Sequence, residues 1–363
     1  LADIEAAEER GMPARAVHLA RAYVYRRERV AERAEAALAL AGSATDSSPV
    51  ERYLEGLIAL ETGQRSAARQ VFDDLVEKRE LGPRLHQGCV LQLAVIHDKA
   101  GRYERAIEHL NAAYDGSNVP IPVAVHIAAL WNRLKQPATA ERRFRSILSQ
   151  MSKADPPYEW QGLCIACERW APDPWIRRAA EAGLVHHPDE PALHYFRTLG
   201  FWREQRYDEA KQVCDEALKR WPDDWPLFYL ILGKTLLSQG ESKAAIPPLE
   251  RAVRRMPRNV YPYFDLAVAL HRVDEMDEAL RVCRAGIVLG PGYPIGHEIE
   301  ARIHRERGDF EAAIGSLRRA LEIRPAGTQV RRALADGLAQ AGRSEEALAL
   351  LSEGVRLQPE ASI

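Results

Sequence analysis

From residue 240 onward, apolar residues recur among polar ones with a period of 34. Four stretches superpose without gaps: GESKAAIPPLERAVRRMPRN from Gly240, DEMDEALRVCRAGIVLGPGY from Asp274, GDFEAAIGSLRRALEIRPAG from Gly308 and GRSEEALALLSEGVRLQP from Gly342. Each carries a turn and then a small alanine (Ala245, Ala279, Ala313, Ala347). A bulkier residue follows four places later, a small one seven later and a proline twelve later (Pro257, Pro291, Pro325, Pro359). Spacings of four and seven share one face of a helix. Small side chains on that face let a second helix approach closely, and the proline ends the helix. The segment before each alanine offers the matching apolar face: Tyr229, Leu232, Gly233 and Leu236 in one unit, Tyr263, Leu266, Ala267 and Leu270 in the next. The predicted element is a helical hairpin, used repeatedly.

Upstream, the frame recurs at Arg206 to Ala210 with Pro222, at Arg102 to Ala106, at Gln136 to Ala140, and at Gln64 to Ala68 with Phe72. Gly11 to Ala16 reads as the tail of a unit whose first helix is clipped. Ala140 and Ala210 stand 70 residues apart, two periods, so a disguised unit lies between them. Its first helix carries Trp160, Leu163, Cys164 and Cys167, and its second Ile176, Ala180, Gly183 and Pro188, with Ile176 in the alanine place. Two departures stand out. Ala16 to Ala68 spans 52 residues, which predicts an overlong second helix within 24–50 and a flexible loop at 42–49. The chain also stops four residues after Pro359 without the polar cap that closes most solenoids. That leaves the last hairpin's apolar face exposed or covered by sequence beyond, and predicts self-association there.

This pattern resembles the tetratricopeptide repeat family over essentially the whole chain. The resemblance implies an all-α fold, a right-handed superhelical solenoid of about ten helix-turn-helix hairpins, nine of them complete. The expected organisation is 1–48, a partial hairpin with an extended second helix and loop; 49–156, three repeats; 157–190, the degenerate repeat; and 191–363, five regular repeats. It also implies that first helices line a concave groove through their second, fifth, ninth, twelfth and thirteenth places. Carried over, the thirteenth places read Lys99, Arg133, Arg169, Arg203, Ser238, Arg272, Glu306 and Gln340, a largely basic ladder. Tyr158, Tyr195, Trp202, Lys234, Tyr261 and Phe264 fall beside it, with Arg302 and Arg305 further along. Guanidinium forks and aromatic faces suit an extended segment bearing carboxylates. The same arginines also read as solvated residues at helix ends, where cations suit the dipole. The asparagine that a two-carboxylate chaperone clamp needs at the ninth place is absent, and four asparagines in all make no asparagine ladder.

Composition narrows the picture further. Hydrophobic residues make up 46% and charged residues 28%, a folded rather than disordered mix. A net charge of −2 provides no global field toward nucleic acid or an anionic membrane. No apolar run approaches the ~18 residues of a membrane span, and the acidic, amphipathic start is unlike a signal peptide. A first residue other than methionine suggests a trimmed chain. Five scattered cysteines imply no disulfide framework and point to the cytoplasm, with a mature periplasmic form left open. Cys164-x-x-Cys167 lacks the second ligand pair of a structural zinc site, and Cys164, Cys167, Cys214 and Cys283 fall at packing places, where cysteine serves as a small hydrophobe. His297-Glu298 with His304 lacks the zinc-protease spacing. His186-His187 sits at a helix end, and no phosphate-binding loop or nucleophile elbow occurs. No catalytic residue, metal or cofactor is expected. The reading is a scaffold or adaptor that holds a peptide or protein segment of acidic character. The alternative is the targeting arm of a larger bacterial enzyme, a transferase or oxygenase, whose catalytic domain lies outside this chain.

Overall fold

The computed structural model describes residues 14–27, 31–41, 48–61, 63–77, 81–114, 119–222, 224–325 and 327–357. Among them the helical hairpin recurs ten times, with no strand. Helix α1 (Ala14–Arg27) pairs with α2 (Ala31–Ala41), and α3 (Pro49–Glu61) with α4 (Arg65–Glu77). Next come α5 (Pro83–Lys99) with α6 (Tyr103–Ala112), α7 (Ile121–Arg133) with α8 (Pro137–Gln150), and α9 (Pro157–Trp170) with α10 (Pro174–His186). They are followed by α11 (Pro191–Arg203) with α12 (Tyr207–Arg220), and α13 (Leu227–Ser238) with α14 (Ser242–Arg255). The last hairpins pair α15 (Val260–Arg272) with α16 (Met276–Leu289), α17 (Pro294–Glu306) with α18 (Phe310–Ile323), and α19 (Thr328–Gln340) with α20 (Ser344–Leu357). The hairpins gather into two compact units: Gly82–Pro257, and Leu1–Leu81 together with Arg258–Ile363.

Local chemistry sets both ends of these helices. Prolines open α8, α9, α10, α11 and α17, where a missing N–H costs nothing and φ is already helical. The turn inside a hairpin is closed by a left-handed residue. After α7 this is Lys135 at φ 58°; its N–H bonds the Asn132 carbonyl at 3.1 Å, and the next N–H, of Gln136, bonds Trp131 at 3.0 Å. That pairing satisfies two carbonyls the helix end would leave orphaned. The same conformation recurs at Gln205, Gly240, Asp274, Gly308 and Gly342. The disguised hairpin departs from it: α9 runs into Ala171 at ψ 165°, extended, followed by Pro172.

The alanine places Ala106, Ala140, Ala210, Ala245, Ala279 and Ala313 are all buried. Ile176, which takes that place in α10, is fully buried too. Beside it Trp175 stacks on Phe144 with centroids 4.2 Å apart, and the backbone of α10 comes very close to α11. A Cβ on Gly200 would stand 2.7 Å from the Arg177 backbone nitrogen. On α9, by contrast, a Cβ on Gly162 would meet nothing within 4 Å. One substitution should therefore act with opposite signs at the two sites. Gly162→Ala is expected to stabilise by about 0.5–1 kcal/mol through helix propensity. Gly200→Ala should destabilise by about 1–3 kcal/mol, because backbone cannot move aside as a side chain can. Urea unfolding midpoints of the two variants check the pair; equal signs would mean that the close approach at Gly200 does not hold.

The N-terminal region corrects the sequence reading. The overlong second helix expected there is two helices, α1 and α2, packed against one another. Ala34 on α2 is fully buried and lies 34 residues before Ala68, so it holds the repeating alanine place and Ala16 does not. The true irregularity comes one unit later: Ala68 to Ala106 spans 38 residues, and α5 has grown to 17 residues. Most of the expected loop (42–47), the 11–13 segment and Pro359 lie outside the described residues. At the other end, Leu348, Leu351 and Val355 of α20 are exposed by 66%, 43% and 60%.

Candidate functional site

Within Gly82–Pro257, Lys99 ends α5 and is exposed. Arg133, one repeat later, is 39% exposed at the surface but already holds a partner within the chain. Its Nη1 donates to Oδ1 of Asp98, a buried carboxylate whose Oδ2 lies 3.3 Å from Nε2 of His126. Burial raises the cost of charging Asp98, yet the bonds from His126 and Arg133 outweigh it and hold the carboxyl below its usual range. His126 in turn stacks on Trp170 at 3.8 Å. Arg203 is spent in the same way. Nη1 donates to the Glu168 carbonyl at 3.1 Å and lies 3.4 Å from Asp173, while Nη2 lies 3.8 Å from the Glu168 carboxylate. Trp202 Nε1 donates to Ser238 Oγ at 3.0 Å.

These contacts obey one rule: the twelfth place of a first helix reaches the thirteenth place of the next. Asp98 meets Arg133, Glu168 meets Arg203 and Trp202 meets Ser238. Within the other unit, with the polarity reversed, His271 Nε2 lies 2.8 Å from Glu306. Two of the five basic residues of the expected ladder, Arg133 and Arg203, are thus staples between repeats. The signal was present in the sequence as complementary residues 35 or 36 apart, a separation that a search for one continuous face does not sample.

The residues left open to solvent form a stripe along α9. Tyr158 is 66% exposed, Ile165 54%, and Arg169 follows one turn later with its guanidinium 4.8 Å over the Trp170 ring. Gly162, between them, leaves open space. Ile165 holds the ninth place of α9, one of the places the resemblance turns toward the groove, and joins this stripe although it was not among the expected site residues. Lys234 Nζ lies 5.4 Å over the Trp202 ring. Tyr195 is half-buried, and burial pushes its phenol up to about 12.

In the unit containing Arg258–Ile363, Tyr261 packs edge-on against Tyr293 at 5.8 Å, and Arg272 is exposed. Phe264, expected on the groove, is a core residue 3% exposed; its ring fills the space that Gly286 and Gly296 leave empty. Arg302 and Arg305 line a cleft of about 200 Å³ between α17, α18 and α19, floored by Ala301, Ala313, Leu317, Val330 and Ala333. Both are exposed, and neither guanidinium has an ion pair or hydrogen bond among the described residues. On the buried face of α17 itself stands the carboxylate of Glu300, which accepts from Arg284 Nε at 2.8 Å and Ser316 Oγ at 3.1 Å.

The other candidate chemistry lies in the packing. All five cysteines are free and buried, and burial pushes the thiols of Cys164 and Cys167 far up. His186 rests against Trp160, and His187 Nε2 lies 2.9 Å from the Asp155 carbonyl. Trp221 stacks on Phe228 and meets His194, joining α11 to α13 across the inter-repeat turn. Among the described residues, no group of three His, Cys, Asp or Glu side chains could hold a metal ion. No described helix is long and apolar enough to cross a membrane.

The chain is 25% identical over 292 residues to cellulose synthase operon protein C of Xanthomonas axonopodis pv. citri, covering 76% of this chain and 19% of that protein. The chain therefore spans about a fifth of the relative's length. Among solved structures, TTC0263, a thermophilic TPR protein of Thermus thermophilus, is 24% identical, covering 47% of this chain and 93% of that one at a TM-score of 0.41. Human IFIT1, solved as a dimer with PPP-AAAA, is 16% identical, covering 83% and 72% at 0.47. Family models described as tetratricopeptide repeat match residues 53–119, 177–224, 231–294 and 304–362. With most of the chain matched and ten hairpins among the described residues, the protein belongs to the tetratricopeptide repeat family and is a repeat scaffold of the protein-interaction class.

Proposed function

We propose that this scaffold holds an acidic stretch of a partner protein against the exposed faces of its first helices. The supporting observation is the α9 stripe of Tyr158, Ile165 and Arg169: an exposed aromatic, an exposed aliphatic and a cation whose one contact among the described residues is the Trp170 ring. Apolar contact with a cation at one end suits an extended chain in which carboxylates flank hydrophobic residues. Lys99 adds a second cation with no partner among the described residues.

The test places a photo-crosslinking amino acid at Tyr158 of the full chain and captures partners from the host lysate. Crosslinked partner peptides are expected to be rich in Asp and Glu. Capture should fall at least tenfold in the Lys99→Glu/Arg169→Glu variant, the loss of about two charge-assisted contacts, while the variant stays folded with a stability loss of no more than about 1 kcal/mol. Undiminished capture by that variant would overturn the reading. A second reading, a targeting arm of a longer enzyme, draws support from the 19% of the related protein that this chain spans. The intact mass of the native protein in its host decides it, because a product no longer than 363 residues would remove the idea.

A further inference from the structure

We infer that the cleft between α17, α18 and α19 takes one apolar side chain of a partner segment and clamps a carboxylate beside it. This rests on the reading that first-helix faces bind protein, and it assigns a second place and a chemistry to that binding. The floor is apolar, with Leu317 and Val330 beneath and Phe310, 37% exposed, at the side. A volume of about 200 Å³ has room for a single side chain. The rim supplies charge. Arg302 and Arg305, one turn apart on α17, are not spent on staples as Arg133 and Arg203 are. Two guanidinium forks beside an apolar hole match a hydrophobic residue next to Asp or Glu. Glu298 lies one turn before Arg302 on the same rim and would repel a carboxylate at that end. The ligand's acid therefore belongs on the Arg305 side of the cleft.

The test measures fluorescence anisotropy of labelled synthetic dodecapeptides on the full chain. The first probe carries a single leucine between two glutamates in a Gly/Ser background. One control replaces leucine by alanine and another replaces both glutamates by glutamine. The first probe is expected to bind saturably and each control about tenfold more weakly, the worth of one lost apolar contact or charged hydrogen bond. Arg302→Gln/Arg305→Gln should weaken the first probe about tenfold, and Glu298→Gln should tighten it about two- to fivefold by removing like charge. Photo-leucine in the probe should crosslink to α17, α18 or α19. Absence of saturable binding, crosslinks confined to other helices, or equal affinity of the double variant would each overturn the inference. If the double variant binds normally while Lys99→Glu/Arg169→Glu still loses its lysate partner, the cleft assignment fails and the broader scaffold reading stands.

Discussion

Reversing Arg133 to glutamate is expected to destabilise Gly82–Pro257 by about 2 kcal/mol, a buried-pair loss discounted because Arg133 is itself 39% exposed, while Arg169→Glu costs no more than about 1 kcal/mol. Both arginines hold the thirteenth place of a first helix, and the sequence treats them alike. Their surroundings do not. Arg133 and His126 together satisfy Asp98, whose side chain is 3% exposed, so the reversal leaves His126 as its remaining partner and sets a new negative charge beside a buried carboxylate. Arg169 is exposed, and its guanidinium has only the Trp170 ring as a contact among the described residues. Asp98 also gives the difference a pH signature. Its folded carboxyl lies below the ordinary 3.8, so the stability it contributes is present above that value and fades as pH falls below it. The gap between wild type and Arg133→Glu should narrow in acid and stay wide at neutral pH. Denaturant unfolding at pH 7 and pH 3 measures both points. Equal stability of the two reversals at pH 7 would mean that Arg133 is solvated and the staple is not formed. The same contrast decides which variants can probe binding. Reversing Arg133, Arg169, Arg203 and Arg272 together would mix lost contacts with lost folding, because two of the four are staples.

The fold is legible in the sequence because its rule is local and repeated. Ala245, Ala279 and Ala313 sit in one packing environment, so evolution has written the same small residue at the same interval. Even Ile176 is placed correctly, since the spacing on either side determines where a unit must lie. The N-terminal error has the same source. Ala16, preceded by a turn-like Gly-Met-Pro, imitates the alanine place, whereas Ala34 sits in an alanine-rich run where no single residue marks the register. Site residues are less legible because their state depends on a partner in the next repeat. Nothing within α7 distinguishes Arg133 from Arg169 in α9; Asp98 does, 35 residues away. Phe264 shows the same limit. Its fifth-place position resembles a groove residue, and only the missing side chains of Gly286 and Gly296 reveal a hole that its ring fills.

Replacing Glu300 by glutamine is expected to cost about 2–3 kcal/mol at pH 7, the worth of hydrogen bonds to a buried charged group. The Glu300 side chain is 6% exposed and accepts hydrogen bonds from Arg284 and Ser316. The pull of His297, opposed by burial and aided by those two donors, draws its carboxyl down to about 2. His297 Nδ1 stands 3.7 Å from Oε2, beyond hydrogen-bond reach, so Arg284 and Ser316 carry the geometric argument. A carboxyl depressed from an ordinary 4.5 to about 2 contributes its full stability above pH 4.5 and loses it as pH falls toward 2. Each pKa unit is worth about 1.4 kcal/mol, which bounds the contribution near 3 kcal/mol; because Arg284 is 57% exposed, water screens its share and the lower part of the range is favoured. Glutamine keeps the shape and can still accept from Ser316, so the change isolates the charge. Wild type and Glu300→Gln should therefore differ most between pH 5 and 7 and converge by about pH 2–3. The readout is local as well as global. In a repeat array damage stays near its origin, so faster amide exchange should appear in α16, α17 and α18 and leave α5 to α14 unchanged. A stability difference that is the same at pH 3 and pH 7 would show that shape, and not the buried charge, is what Glu300 contributes.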